Sequence, residues 1–409
     1  MRSLLEPEWL ITAEISLARF LVKLLPRVRR QTRGLRLLLT PFPKGSRGDE
    51  ALLLGSLDAS SEPLVVLAHR PLAALRRLVS RPHRVWVIPG LLYAFPPLSF
   101  FSSFLFLLRA RRAATFTLVG ADLLDGAYWQ GPSLRRILLS SALVDLGVTV
   151  EVVGFSWPIE PDVLCEKALA SIAHRVTLKP RDAVSARRLV ERGIPVTSTG
   201  ADVALGIVRI PPEPPSDVDK WLKEQFSEGR RVLAAGLHGH LLPLKTDRVS
   251  LSSLLKSETQ PWALLLVPMD ERFFAGDRKR ARAIARWARG ANIPVFVLGR
   301  QTSVRDLLAI LSRVTAVVAF RMHMSILAFR VGVPCMGVDY NDKFVGTFGH
   351  FDTEEYVIPR DQLAHQLSRV WPSFLDSLED VRHRVRMSLP RVRELAVSGQ
   401  GQVPSGGYR

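Results

Sequence analysis

Cysteine is almost missing from this sequence: Cys165 and Cys335 are the only two in 409 residues, far apart and each in apolar company. Two thiols so placed exclude a disulfide framework and a cysteine-based metal centre, and they fit a reducing cytosol. The N-terminus lacks a secretory signal, because acidic residues interrupt it and no small-residue cleavage site follows an apolar core. Also lacking are an RNP-type aromatic sequence, the Cys/His spacing of a zinc site, and a helix whose basic residues are spaced for a groove. No nucleic-acid partner and no metal are therefore expected.

Uncharged runs long enough to cross a bilayer are scarce too. Residues 88–108 (IPGLLYAFPPLSFFSSFLFLL) are the candidate, but Pro96 and Pro97 would break a helix in its middle, and the preceding RVWVIP reads as a strand. A span is not expected. Domain core and a surface-seeking segment ending in Arg109, Arg111 and Arg112 both stay open. Residues 9–25 (WLITAEISLARFLVKLL) have helical apolar spacing and precede Arg27, Arg29, Arg30, Arg33 and Arg36. An ordinary packed helix is the favoured reading, with a helix lying on an anionic bilayer as the alternative.

Acidic residues are the minority: 38 Asp and Glu against 56 Lys and Arg leave a formal charge of +18, which favours anionic partners. Hydrophobic residues at 47% and charged residues at 23% describe an ordinary globular chain, and the length suits two domains. Short Leu- or β-branched-rich runs alternate with helical stretches. Strands are expected at 35–40, 63–68, 84–89, 115–120, 149–154 and 174–179, then at 231–237, 262–268, 294–299, 315–320 and 334–339. Between the two sets, IPPEPPSDVD (210–219) reads as a linker.

The expectation is an α/β protein with two Rossmann-like domains, parallel sheets facing a central cleft. Its segments are a basic amphipathic stretch at 1–34, an N-terminal domain at 35–209, a linker at 210–229, a C-terminal domain at 230–395 and a tail at 396–409. In such sheets ligands bind beyond the carboxyl ends of the strands.

Four strand ends hold polar clusters. PFPKGSRGDEALLLGSL supplies Gly45, Gly48, Asp49 and Glu50, which is not a Walker loop because no Gly-Lys-Ser/Thr follows. TFTLVGADLLDG supplies Asp122 and Asp125. KPRDAVSARRLVERGI supplies Lys179, Arg181, Asp182 and Ser185, of which Pro180 and Asp182 help to start a helix. The fourth cluster is Arg321-Met322-His323, where a buried strand runs into a helix N-terminus, followed after the next strand by Tyr340, Asn341, Asp342 and Lys343. An arginine, a lysine and a titratable histidine at adjacent strand ends suit a small dianion bearing phosphate and carboxylate.

Together, KGSRGDEALLLGSL, LVGADLLDG, VGFSW, KPRDAVSARRLVERGI, TGADVALGI and FRMHMSILAFRVGVPCMGVDYNDKFVG resemble the polysaccharide pyruvyl transferase family, in the family's order, from about residue 36 to 350. The resemblance implies a transferase with a GT-B-like architecture that uses phosphoenolpyruvate as cosubstrate, with no retained cofactor. It would place the enolpyruvyl group as a cyclic ketal on one sugar of a cell-surface glycan or its lipid-linked precursor. Arg321 and His323 match the family's Arg-x-His, Asn341 and Lys343 the adjacent motif, Asp49 and Glu50 the acidic opening, and Arg181, Asp182 and Ser185 the N-domain motif. One departure is visible: Pro268-Met269-Asp270 stands where the family's Pro-His-Asp is expected.

On this reading His323 is the acid and Asp49, with Glu50 behind it, the base across the cleft. Arg321, Lys343, Asn341, Arg181, Ser185, Gly48 and Asp122 are the substrate-binding residues. The N-terminal domain is expected on the acceptor side and the C-terminal domain on the donor side. The location expected is cytoplasmic, with peripheral contact at the inner face of the cell membrane. The rival readings are a glycosyltransferase using a nucleotide sugar and a non-catalytic relative on the same fold.

Overall fold

A computed structural model describes residues 7–26, 34–70, 73–255, 261–272 and 276–398. Arg27, Arg29, Arg30 and Arg33 of the basic cluster, and the tail beyond residue 398, lie outside them. Contacts divide the chain into two compact units. The first holds the described residues of Met1–Phe42, Leu52–Gly206 and Glu394–Arg409, and the second those of Pro43–Ala51 and Ile207–Arg393.

In the first unit, β1 (Leu35–Leu39), β2 (Leu64–Ala68), β3 (Arg84–Val87), β4 (Ala113–Ala121), β5 (Thr149–Phe155) and β6 (Thr177–Pro180) form one sheet in the order β3-β2-β1-β4-β5-β6. Every pairing is parallel. Parallel strands need crossovers, and helices on both faces bury both sides of the sheet, so the strands read as continuous apolar runs. Alternate side chains still part company: Leu37 and Leu39 join one core cluster, while Leu38 joins the other with Val66 and Val153.

The second unit repeats the winding. Strands β7 (Arg231–Gly236), β8 (Trp262–Leu266), β9 (Val295–Val297), β10 (Ala316–Ala319), β11 (Cys335–Asp339) and β12 (Val357–Pro359) lie in the order β12-β11-β10-β7-β8-β9, again all parallel. Strand order reverses between β7 and β10, and ligand sites in doubly wound sheets sit beyond such a switch point. Strand β12 has no counterpart in the sequence reading; three residues ending in a proline at a sheet edge give periodicity nothing to work on.

Two other stretches take definite form. Within 210–229, Ser216–Ser227 is a helix with Val218 and Leu222 buried, so the proline run precedes a packed element. Within 88–108, a helix begins at Leu98 and runs to Ala110, burying Phe106, Leu107 and Ala110. No helix of the described residues is long and apolar enough to cross a membrane.

Candidate active site

The second unit gathers its polar groups at the carboxyl ends of β7, β8, β10 and β11. Arg321 follows β10 and precedes the helix Met322–Arg330, whose second residue is His323. The Arg321 guanidinium grips Asp277 through two nitrogens, Nε to Oδ2 at 3.1 Å and Nη2 to Oδ1 at 2.7 Å. Asp277 is buried and also accepts from the backbone N–H of Gly239 at 2.8 Å and of Asp270 at 3.0 Å. Burial alone would lower the Arg321 pKa, but the hydrogen bond and charge of Asp277 outweigh it and raise it. The result is a fixed, fully charged arginine whose side chain remains 20% exposed.

Parallel pairing of β10 with β11 puts the next loop beside this one. Asp339, at the end of β11, accepts from the backbone N–H groups of Asn341 at 3.0 Å and Phe344 at 3.1 Å, with Lys343 N at 3.4 Å. One carboxylate thus sets the path of the loop, in which Asp342 takes a left-handed φ of 55° and Lys343 is buried. The Tyr340 ring meets that of His238, which follows β7, at 5.4 Å edge to face. His238 Nδ1 accepts the His240 backbone N–H at 3.2 Å. Its pKa falls to about 4, first through burial and then through the charge of Arg321, so its imidazole is neutral at pH 7.

Residues 43–51 belong to this unit. The sequence reading expects Asp49 across the cleft from His323, yet its segment is counted with the histidine's own unit. Gly45, at φ +77°, leads into a short antiparallel pairing in which Glu271 N donates to Gly45 O at 2.6 Å and Arg47 N to Met269 O at 2.9 Å. Arg47 is the anchor. Its side chain is buried and donates to the carbonyls of Pro268 and Gly299, the latter at 2.8 Å, and to Glu271 at 3.2 Å. The helix Arg47–Ala59 then starts, with the Ser46 hydroxyl accepting from Asp49 N at 3.2 Å.

Gly48 faces the His323 ring: a Cβ there would stand 2.6 Å from Nδ1 and 2.8 Å from Cγ. Only a residue without a side chain allows this approach. Glu50 points elsewhere, its Oε1 accepting from Val304 N at 3.0 Å at the start of the helix Val304–Leu311. Burial raises the Glu50 pKa. Met269, at the position of the expected histidine, is 3% exposed and packed inside.

The remaining expected residues meet one another in the first unit. Arg181 is buried, with Nη2 on Asp122 at 2.8 Å, Nη1 on Asp202 at 3.2 Å and Nε on the Ser156 hydroxyl at 2.7 Å. The two aspartates outweigh burial and raise its pKa. Asp182 caps the helix Ala183–Glu191 by accepting from Ser185 N at 2.7 Å, and Ser185 Oγ accepts from Trp157 N at 2.9 Å. Lys179 donates to the carbonyl of Ser398 at 2.7 Å. This is a closed lattice tying together the ends of β4, β5 and β6; of its carboxylates Asp122, at 23%, is the more exposed and Asp202, at 2%, is enclosed.

Sequence reasoning missed His238, Asp277, Asp339 and Arg47. His238 had a legible signal, since it stands directly beyond a strand end. Asp277 reads locally as an ordinary acidic residue in a first helical turn.

The fold is similar to that of Anabaena HepE in complex with UDP-glucose, at a TM-score of 0.55 and 13% identity over 90% of this chain and 95% of that one. WaaG, a glycosyltransferase involved in lipopolysaccharide biosynthesis, gives a TM-score of 0.53 at 12% identity over 91% of this chain and 100% of that one. A putative UDP-N-acetylglucosamine 2-epimerase from Listeria monocytogenes gives 0.56 at 12% identity over 90% and 94%. At such identities the likeness is one of fold: two α/β units of the GT-B kind. No curated protein matches the sequence. The sequence profile of the polysaccharide pyruvyl transferases matches residues 78–342, well over half of the chain, and the chain belongs to that family.

Proposed function

We propose that this protein transfers the enolpyruvyl group of phosphoenolpyruvate to two hydroxyls of one sugar in a cell-surface glycan or its lipid-linked precursor, forming a pyruvate ketal. The observation that carries the reading is the packing of Gly48 against His323, which joins the two most specific motifs, Gly-Asp-Glu and Arg-x-His, in one unit.

The chemistry assigns the groups. His323 delivers a proton to the donor methylene, which becomes the methyl group, and the adjacent carbon turns electrophilic. A sugar hydroxyl attacks that carbon. Phosphate then departs as the second hydroxyl closes the ring. Two hydroxyl protons are released, one balancing the proton given to the methylene and the other leaving with phosphate. Arg321, fixed by Asp277, and Lys343 neutralise the donor carboxylate and the departing phosphate, backed by the positive N-terminal end of the helix Met322–Arg330. Asn341 orients the donor. Asp49, one residue from the His323 contact, takes the hydroxyl proton, while Glu50 acts as a positioning residue through Val304. Arg181, Ser185 and Asp122 shape the first unit's strand ends, with Asp122 the group exposed enough to reach an acceptor.

Because HepE is described with UDP-glucose, a nucleotide-sugar glycosyltransferase is the competing reading. Thermal-shift titration separates the two: stabilisation by phosphoenolpyruvate is expected, and stabilisation by UDP-sugars alone would overturn the proposal.

A further inference from the structure

We propose that the paired outer faces of the helices Glu8–Leu24 and Leu98–Ala110 form a docking surface for an anionic lipid bilayer. This goes beyond the transfer reaction and stands whether or not the donor is phosphoenolpyruvate.

The inner side of Glu8–Leu24 is an ordinary core face, with Ile11, Ile15, Ala18 and Val22 each 3% exposed or less. An ordinary surface helix would be polar on its other side. Here the opposite stripe is apolar as well: Trp9 is 69% exposed, Leu17 50%, Phe20 57% and Leu24 66%. The second helix repeats the arrangement, with Phe106 and Leu107 inside and Leu98 at 53%, Phe101 at 57% and Leu105 at 45% outside.

The two helices are packed side by side. Glu14 lies buried between them, accepting from the Ser99 hydroxyl at 2.8 Å and pairing with Arg135 at 3.0 Å, and Arg111 donates to the Val22 carbonyl at 3.2 Å. The two apolar stripes are therefore neighbours and make one patch. Exposed large apolar residues further along the chain, such as Val190, Phe226 and Val249, sit on separate elements.

Charge and length choose the occupant. The carboxyl ends of both helices carry exposed cations, Lys23 on one and Arg109 and Arg112 on or just past the other, whereas the exposed acid on these helices is Glu8, at the opposite end. An apolar stripe bordered by cations complements the boundary between acyl chains and anionic headgroups. At about 1.5 Å per residue the helices are roughly 25 Å and 20 Å long, shorter than a bilayer's hydrocarbon core of about 30 Å, and each has its inner side packed into the fold, so they lie along the bilayer and do not cross it.

The test uses the full-length protein and vesicles of phosphatidylcholine alone or with phosphatidylglycerol, read by flotation. Wild type should partition onto the mixed vesicles at least tenfold better than onto the neutral ones. Phe20→Ser with Phe101→Ser and Leu105→Ser should lose binding to both by tenfold or more with an unchanged melting temperature, because these side chains already face solvent. Arg109→Glu with Arg112→Glu should abolish the preference for the anionic vesicles. Equal partitioning of the serine variant and wild type would overturn the proposal. So would an absence of vesicle binding alongside a concentration-dependent dimer, seen by sedimentation, that the serine variant dissolves; that outcome would assign the patch to a second copy.

Discussion

Gly48 and His323 are in contact across a separation that no local pattern reveals: a methyl group on residue 48 would lie 2.6 Å from the imidazole Nδ1. Gly48→Ala should therefore displace the ring. Because residue 48 sits in the first turn of a helix, alanine also favours that helix by up to about 1 kcal/mol. The expected outcome is a melting temperature within a few degrees of wild type with kcat lowered by about a hundredfold, the cost of roughly 1 Å of misplacement at a catalytic group. Unchanged kcat would remove His323 from the reaction as assigned.

Asp277 holds Arg321 by a two-point contact and is itself enclosed. Asp277→Asn leaves the guanidinium without a counter-charge, which should cost about 3 kcal/mol of stability in urea melts. The KM for phosphoenolpyruvate should rise more than kcat falls, since a charged clamp loses its fixed position. A variant with wild-type KM would show that Arg321 does not bind the donor.

In the first unit, Arg181 joins Asp122, Asp202 and Ser156 from inside the fold. Arg181→Met should destabilise by about 3–5 kcal/mol, because it leaves carboxylates without their partner. A variant that kept wild-type stability yet lost donor affinity would return Arg181 to the role of a substrate ligand.

The pH dependence follows from two histidines. His238 is brought to about 4 by burial and then by Arg321, and His69 to about 4 by burial and then by Arg70. Each folded pKa lies below the unfolded value of about 6.5, so the unfolded chain binds more protons between these limits. The stabilisation is present above pH ~6.5 and is lost as pH falls towards ~4. His238→Asn should flatten the fall in melting temperature over that window. An unchanged slope would mean that His238 is not held neutral by the fold.

Strands β4, β5 and β10 were legible because apolar runs between turn residues are what a buried parallel strand requires. That the loops carrying Arg321, His323 and Lys343 follow neighbouring parallel strands was legible from the order of the apolar runs. The rest depends on long-range partners. Glu50 reads as a second acid beside Asp49 until Val304, 254 positions away, is found at its carboxylate. Arg47 looks like a surface residue of a glycine loop until the Pro268 carbonyl, 221 positions on, meets it. Arg181 and Ser185 match a family motif, but only the fold shows that their polar atoms bond to Asp122, Asp202, Asp182 and the Trp157 amide. Composition and spacing record which groups exist; burial decides which of them turn inward.

The most direct measurement is the mass of an envelope glycan incubated with the protein, a UDP-sugar and phosphoenolpyruvate labelled with 13C in all its carbons. The glycan should gain the mass of one labelled pyruvate less one water, with one phosphate released per addition, and His323→Ala should abolish both. Addition of a hexose from a UDP-sugar, with the labelled donor untouched, would contradict the account.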